Sequence, residues 1–181
     1  MWRLAGIAVC VVALAGCGSD ADPKPAAQIP QAKLAGAPAP LAAVHEQANE
    51  LLGGGTAAFD ARLRKLRGYP VVVNAWGSWC GPCRDEFPYF RAQGIKRAKT
   101  VAFLGVDVED PESGARDFLR EQPVPYPSFR DPEKKIAASF NAVQGLPATA
   151  FYDKRGKLEY LHIGPYKNER RLAEDIDRYA R

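Results

Sequence analysis

The sequence predicts an α/β domain built on a central sheet of mixed strand direction. Two observations predict it. Short apolar, β-branched runs, "PVVVNAW" and "TVAFLGVDV", alternate with segments whose apolar residues recur at helical spacing. Later, "ATAFYD" and "LEYLHIG" flank Lys154-Arg155-Gly156-Lys157, which reads as a hairpin with a glycine turn. Alternation of strand and helix gives parallel neighbours, whereas a hairpin gives antiparallel ones.

The elements follow in order. From Gly18 to about Ala42 the chain is rich in Ala and Pro, without aromatics or periodicity, and reads as a tether. Order is expected from about Val44. "LAAVHEQANELL" has helical spacing and stops at Gly53-Gly54-Gly55. Thr56 then stands as the N-cap of a helix through "AAFDARLRKL", with Phe59, Leu63 and Leu66 on one face and Gly68 past its end. "PVVVNAW" is a buried strand. A helix starts near Cys80, runs past Tyr89 and bends at Pro88. "TVAFLGVDV" is the second buried strand, followed by a helix over "DPESGARDFLREQ" with Pro111 near its first turn. Tyr126 to Phe129 is a short strand and "DPEKKIAASF" a short helix. The hairpin comes next, then a closing helix from Asn168 to Ala180 with Leu172, Ile176 and Tyr179 on one face.

Length and charge narrow the function. A chain of 181 residues suits one domain plus extra segments, and 46% hydrophobic residues suit an ordinary core. The net charge of +4 comes with no isolated block of Lys or Arg. Arg62, Arg64, Lys65 and Arg67 share a helical stretch with Asp60, which is a solvated face and not a nucleic-acid stripe.

The N-terminus reads as an address. Arg3 precedes an apolar run from Leu4 to Ala15, too short to span a bilayer but the length of a signal-peptide core. Leu14-Ala15-Gly16-Cys17 resembles the bacterial lipoprotein box. That resemblance implies a signal peptide over residues 1–16, a lipid on Cys17, a tether over 17–43 and a folded domain over 44–181. A plain signal peptide, or a buried N-terminal helix, is the alternative. Fully extended, the tether would reach roughly 75 Å. On the lipoprotein reading the domain sits outside the cytoplasm, held at the membrane. Cys10 leaves with the signal, so of the four cysteines only Cys80 and Cys83 remain as thiols, where disulfides persist.

Three uses other than catalysis are open to that pair. A structural zinc site needs four ligands, and His45 and His162 are the only histidines. A thioether copper site has only Met1 to draw on. No metal is expected. A structural disulfide is the stronger rival, but a loop of two residues constrains the unfolded chain little. The position favours chemistry. The pair follows a buried strand at the start of a helix, where free N–H groups and the dipole stabilise a thiolate. Cys80 sits at that end and Cys83 lies deeper. Pro82 suits the first helical turn, and Gly81 leaves room for a partner chain.

Trp79-Cys80-Gly81-Pro82-Cys83 resembles the thioredoxin active-site motif. Pro88 resembles the helix proline of that fold, and Gly145-Leu146-Pro147 its cis-proline loop. The likeness covers about Thr56 to Arg181. Thioredoxin carries a buried Asp six residues before its first Cys, where this chain has Asn74. "VVVNAW", with Glu86 three residues after Cys83, instead resembles the membrane-tethered TlpA/ResA/DsbE group of thiol–disulfide oxidoreductases.

That resemblance implies a thioredoxin-like fold, with an inserted helical segment before the cis-proline loop. It implies a redox disulfide between Cys80 and Cys83, with Cys80 attacking and Cys83 resolving. Glu86 becomes the proton acceptor for Cys83, or tunes its thiol, with a solvated helix glutamate as the alternative. Pro147 is expected in cis, facing Cys80. The Leu146 backbone, Trp79, Gly81 and Pro82 are expected to receive the partner. The implied partners are client proteins with thiols or disulfides, and a thiol–disulfide electron donor or acceptor in the membrane. No organic cofactor is implied, and the chain has no Gly-x-Gly-x-x-Gly fingerprint or phosphate loop. The Gly81-Pro82 dipeptide leans reducing, and the Asn74 group includes reductants of apocytochromes. Some relatives instead oxidise secreted proteins, and a non-catalytic binding lipoprotein is a further alternative. A peroxide reductase of related fold would carry Thr three residues before a lone Cys, and here Gly77 holds that place.

Overall fold

A computed structural model describes residues 28–181. The signal-like run, Cys10 and Cys17 lie outside them. The elements are α1 (Gln31–Leu34), α2 (Ala39–His45), β1 (Leu51–Leu52), α3 (Gly55–Lys65), β2 (Val71–Trp76), α4 (Gly81–Lys96) and β3 (Ala102–Val108). They continue with α5 (Glu112–Glu121), β4 (Ser128–Asp131), α6 (Lys135–Ser139), β5 (Ala148–Tyr152), β6 (Leu158–Ile163) and α7 (Glu169–Tyr179).

The sheet is mixed, as the sequence implies. Its order is β1-β4-β3-β2-β5-β6. The first four strands run parallel to one another, and β5 lies antiparallel to both β2 and β6. β2 and β3 are buried at every residue, which is why they read as continuous apolar runs.

Both faces of the sheet are covered. On one, Trp76 packs against Phe87 of α4 and Phe118 of α5, with ring centroids 5.2 Å away in each case. Its indole N–H donates to Ser128 Oγ at 3.1 Å. On the other face, Phe59 of α3 meets Phe129 and Phe140 at 5.6 and 6.1 Å. Gly105 makes the first arrangement possible, since a Cβ there would lie 2.1 Å from Ser128 Oγ. Trp76→Ala should therefore cost about 3–5 kcal/mol, read as a lower urea midpoint at unchanged slope.

Several boundaries differ from expectation. Packing begins before Val44: Leu34, Leu41 and Val44 are all buried, so α1 and α2 occupy residues assigned to the tether. The helix expected over residues 41–52 stops at His45. Asn49 takes a left-handed φ of 65°. Its amide donates to Leu119 O and its Oδ1 accepts from Val124 N–H. Leu51 and Leu52 are thereby turned into a strand against Ser128 and Phe129. Thr56 is not the N-cap of α3. Gly54, at φ 93°, holds that position, a conformation glycine adopts without strain.

The expected helical insertion between β3 and β5 is present as α5 and α6, with β4 between them. Pro111 is the N-cap residue of α5, directly before its first turn, as expected. α6 is shorter than its sequence suggests. Asp131 closes β4, and its carboxylate accepts the N–H groups of Ile136 and Ala137 at 3.0 and 2.8 Å, which starts the helix late. Pro88 lies inside α4. It has no N–H for the Arg84 carbonyl, and the Gln122 side-chain amide approaches that carbonyl at 3.4 Å.

Candidate functional site

The site is built where β2 ends and α4 begins. Cys80 is the N-cap of α4 in extended conformation, and its sulfur accepts the Cys83 N–H at 3.3 Å. The two cysteines are joined as a disulfide, with Cα atoms 5.3 Å apart. Cys83 is fully buried and Cys80 nearly so, at 5% exposed. On reduction, the same N–H and the dipole of a 16-residue helix face the Cys80 sulfur, which favours its thiolate.

Around the disulfide the chain is open. Gly81 and Pro82 are exposed. Trp79 is 57% exposed, so it is a surface residue and not core. Its indole lies over Gly77, where a Cβ would stand 2.7 Å from the indole nitrogen. A threonine at that position would displace Trp79. The Leu146–Pro147 peptide is cis. Ala75 pairs with Ala148 across β2 and β5, which sets Pro147 at the level of Trp76, at the end of the sheet that carries Cys80. Pro147 is buried, and Leu146 is half-buried beside it.

Glu86 is fully buried on the same side of α4 as Cys83, which removes the reading of a solvated glutamate. Asp85 beside it is exposed. Asn74 Nδ2 donates to Glu86 Oε1 at 3.0 Å, and the Tyr166 N–H donates to Oε2 at 2.9 Å. Burial pushes the carboxyl up to about 7, against the pull of those two hydrogen bonds. Asn74 is thus the donor that fixes the acid. Tyr166 is a site residue that sequence reasoning missed, because it lies 80 positions away and contributes only its backbone.

A second group also escaped notice. Ser78, two residues before Cys80, is held by Asp110. The Ser78 N–H donates to Oδ2 and its hydroxyl to Oδ1, the latter at 2.8 Å. Among the described residues, no three His, Cys, Asp or Glu side chains are grouped to hold a metal. Nor is any described helix long and apolar enough to cross a membrane.

A mixed sheet with a Cys-x-x-Cys pair at a strand-to-helix junction, and a cis-proline at the same end of the sheet, defines a thioredoxin-like protein. The family model described as the AhpC/TSA family matches residues 38–161, and the chain belongs to that family. It is similar to the thiol-disulfide oxidoreductase ResA of Geobacillus kaustophilus, 31% identical over 66% of each chain. It is 34% identical to a thiol:disulfide interchange protein DsbE homolog of Paracoccus denitrificans, over 54% of this chain and 52% of that one. The matched stretches thus span less than two thirds of these relatives. Among solved structures, a DsbF homologue from Corynebacterium diphtheriae superimposes with a TM-score of 0.58 at 29% identity, covering 64% of this chain and 75% of that one.

Proposed function

We propose that this protein is an extracytoplasmic thiol–disulfide oxidoreductase that reduces client disulfides. The observation that carries the proposal is the Cys80–Cys83 disulfide at the N-terminus of α4, with the buried acid Glu86 one helical turn beyond Cys83.

The chemistry follows from those positions. The Cys80 thiolate attacks one sulfur of a client disulfide, and the other client sulfur leaves as a thiolate. Glu86, as carboxylate, takes the Cys83 proton. The Cys83 thiolate then attacks the Cys80 sulfur, and the second client thiolate departs. Two electrons have passed from the pair to the client, and the Cys80–Cys83 bond has formed. A carboxyl near 7 suits this work, since at neutral pH both of its protonation states are populated. Trp79, Gly81 and Pro82 form the open rim where the client docks, and the Leu146 backbone beside Pro147 offers it an extended edge.

Cys17 is the lipid attachment point, and the residues between it and α1 form the tether. A thiol–disulfide partner in the membrane recycles the pair. The Gly81-Pro82 dipeptide favours the reducing direction, with apocytochromes as the client class. Equilibration in glutathione buffers tests this. A reduction potential near roughly −270 mV supports a reductant. A value near about −120 mV contradicts that direction and makes the protein an oxidant of secreted proteins.

A further inference from the structure

The loop after β6, Gly164-Pro165-Tyr166, touches two separate parts of the site. At its start, the Gly164 N–H donates to the Pro147 carbonyl at 2.9 Å. At its end, the Tyr166 N–H donates to Glu86 Oε2 at 2.9 Å. Gly164 turns the chain at a φ of 100°, which glycine takes without strain. Pro165 then fixes its own φ. One short loop thus carries one donor to the cis-proline and another to the buried acid.

The Tyr166 side chain is what fixes this loop. It is buried, and its hydroxyl donates to Asp175 Oδ2 of α7 at 2.9 Å. The carboxylate acceptor makes that bond one of the stronger kind. The ring stacks on His162 of β6, with centroids 4.3 Å apart, and meets Phe90 of α4 edge-on at 6.2 Å. Three elements grip one ring, and the backbone N–H of the same residue is a donor that Glu86 receives.

We infer that Tyr166 is a positioning residue for exchange: Asp175 and His162 latch its ring, and the latch holds the Gly164–Tyr166 loop against both Pro147 and Glu86.

The surroundings of Glu86 let the latch be read. From β2, Asn74 supplies the other donor to the acid. From the segment before β4 the Tyr126 phenol faces it, and from the loop the Tyr166 phenol; burial first raises both above the ordinary phenol range. Cys83, on the same helix, is held in the disulfide. Around the ring, Tyr160 and His162 come from β6, and burial lowers the His162 imidazole. From α7, Arg171 pairs with Glu174. The Tyr166 N–H favours the ionised form of Glu86. When the ring loosens, that donor retreats and Glu86 keeps its proton to higher pH.

The consequence for exchange rests on the proposed redox function, but the latch is read separately. The Glu86 carboxyl is followed by carbon NMR in the oxidised protein, where the Cys80–Cys83 pair carries no proton. Tyr166→Phe keeps the ring and removes only its bond to Asp175, with no change of charge. Its Glu86 midpoint is expected to rise by about one pH unit, the scale of one charge-assisted hydrogen bond. Asp175→Ala should raise it as much, although loss of a negative charge would by itself lower it. The double variant should add nothing further. Asp175→Asn, which still accepts from the phenol, should restore the wild-type midpoint. An unmoved midpoint in Tyr166→Phe, or a fall in Asp175→Ala, overturns the latch. In the reduced protein, resolution of a mixed disulfide with a chromogenic aromatic thiol should slow about fivefold at pH 7 in Tyr166→Phe, as the carboxylate fraction falls. The deficit should close near about pH 9, where Glu86 is ionised in both proteins. A midpoint that moves without any change in that rate contradicts the role in exchange. A midpoint that responds in a protein that reacts with no disulfide counts against the redox function and leaves the latch standing.

Discussion

Cys83→Ser should turn the protein into a trap. Cys80 keeps its place at the N-cap of α4 and still attacks a client disulfide. The resolving sulfur is gone, so the mixed disulfide waits for an external thiol. An intramolecular thiol has an effective molarity far above any free thiol, so turnover should fall by about a thousandfold or more. The adduct is expected on non-reducing gels and by mass, and it should release on addition of dithiothreitol. Cys80→Ser should give neither adduct nor turnover, because Cys83 is fully buried and out of reach of a client.

Glu86→Gln should produce the second large effect, and it separates chemistry from stability. The side chain is buried, and its carboxyl is raised from 4.5 to about 7. A raised acid contributes stability that is fully present below the unfolded value and is lost as pH climbs to the folded one. Between pH 4.5 and 7 the wild type should therefore lose about 3 kcal/mol that the Gln variant keeps. Urea unfolding of both oxidised proteins at pH 4.5 and 7 checks it. The fold should tolerate the amide. Asn74 Oδ1 has no partner, so Asn74 can turn to accept from Gln as it now donates to Glu. Resolution of the mixed disulfide should slow by about a hundredfold, the usual scale of a lost general base. An unchanged thiol titration and an unchanged rate would remove Glu86 from the mechanism.

What could be read from the sequence was local. The Cys80–Cys83 pair, the buried strand before it and the helix after it lie within one short stretch. Periodicity and the Gly-Pro turn mark them directly. The hairpin and the closing helix were legible for the same reason. The errors arose where distant residues decide. Leu51 and Leu52 look helical until Asn49 is captured by Leu119 and Val124. An Ala- and Pro-rich stretch looks like tether until Leu34 and Leu41 find the core.

The site divides in the same way. Glu86, three residues after Cys83, is marked by the resemblance to the ResA/DsbE group. Its burial is not, because the partners that hold it come from β2 and from the loop before α7. One signal was available. A polar Asn74 in the middle of an apolar strand requires a partner, and the Glu one helix away is that partner. Nothing comparable marks Asp110, since an acid before a helix reads as an ordinary start signal. Its hold on Ser78 spans 32 positions.

The most direct test of exchange through this pair is brief alkylation of the reduced protein at pH 7, followed by peptide mapping. The label is expected on Cys80, many-fold ahead of Cys83, because Cys80 caps the helix and borders the open rim while Cys83 is buried. Equal labelling, or labelling of Cys83 first, would contradict the assignment of attacker and resolver. A pair that resists reduction, and so takes no label at all, would return the disulfide to a structural role.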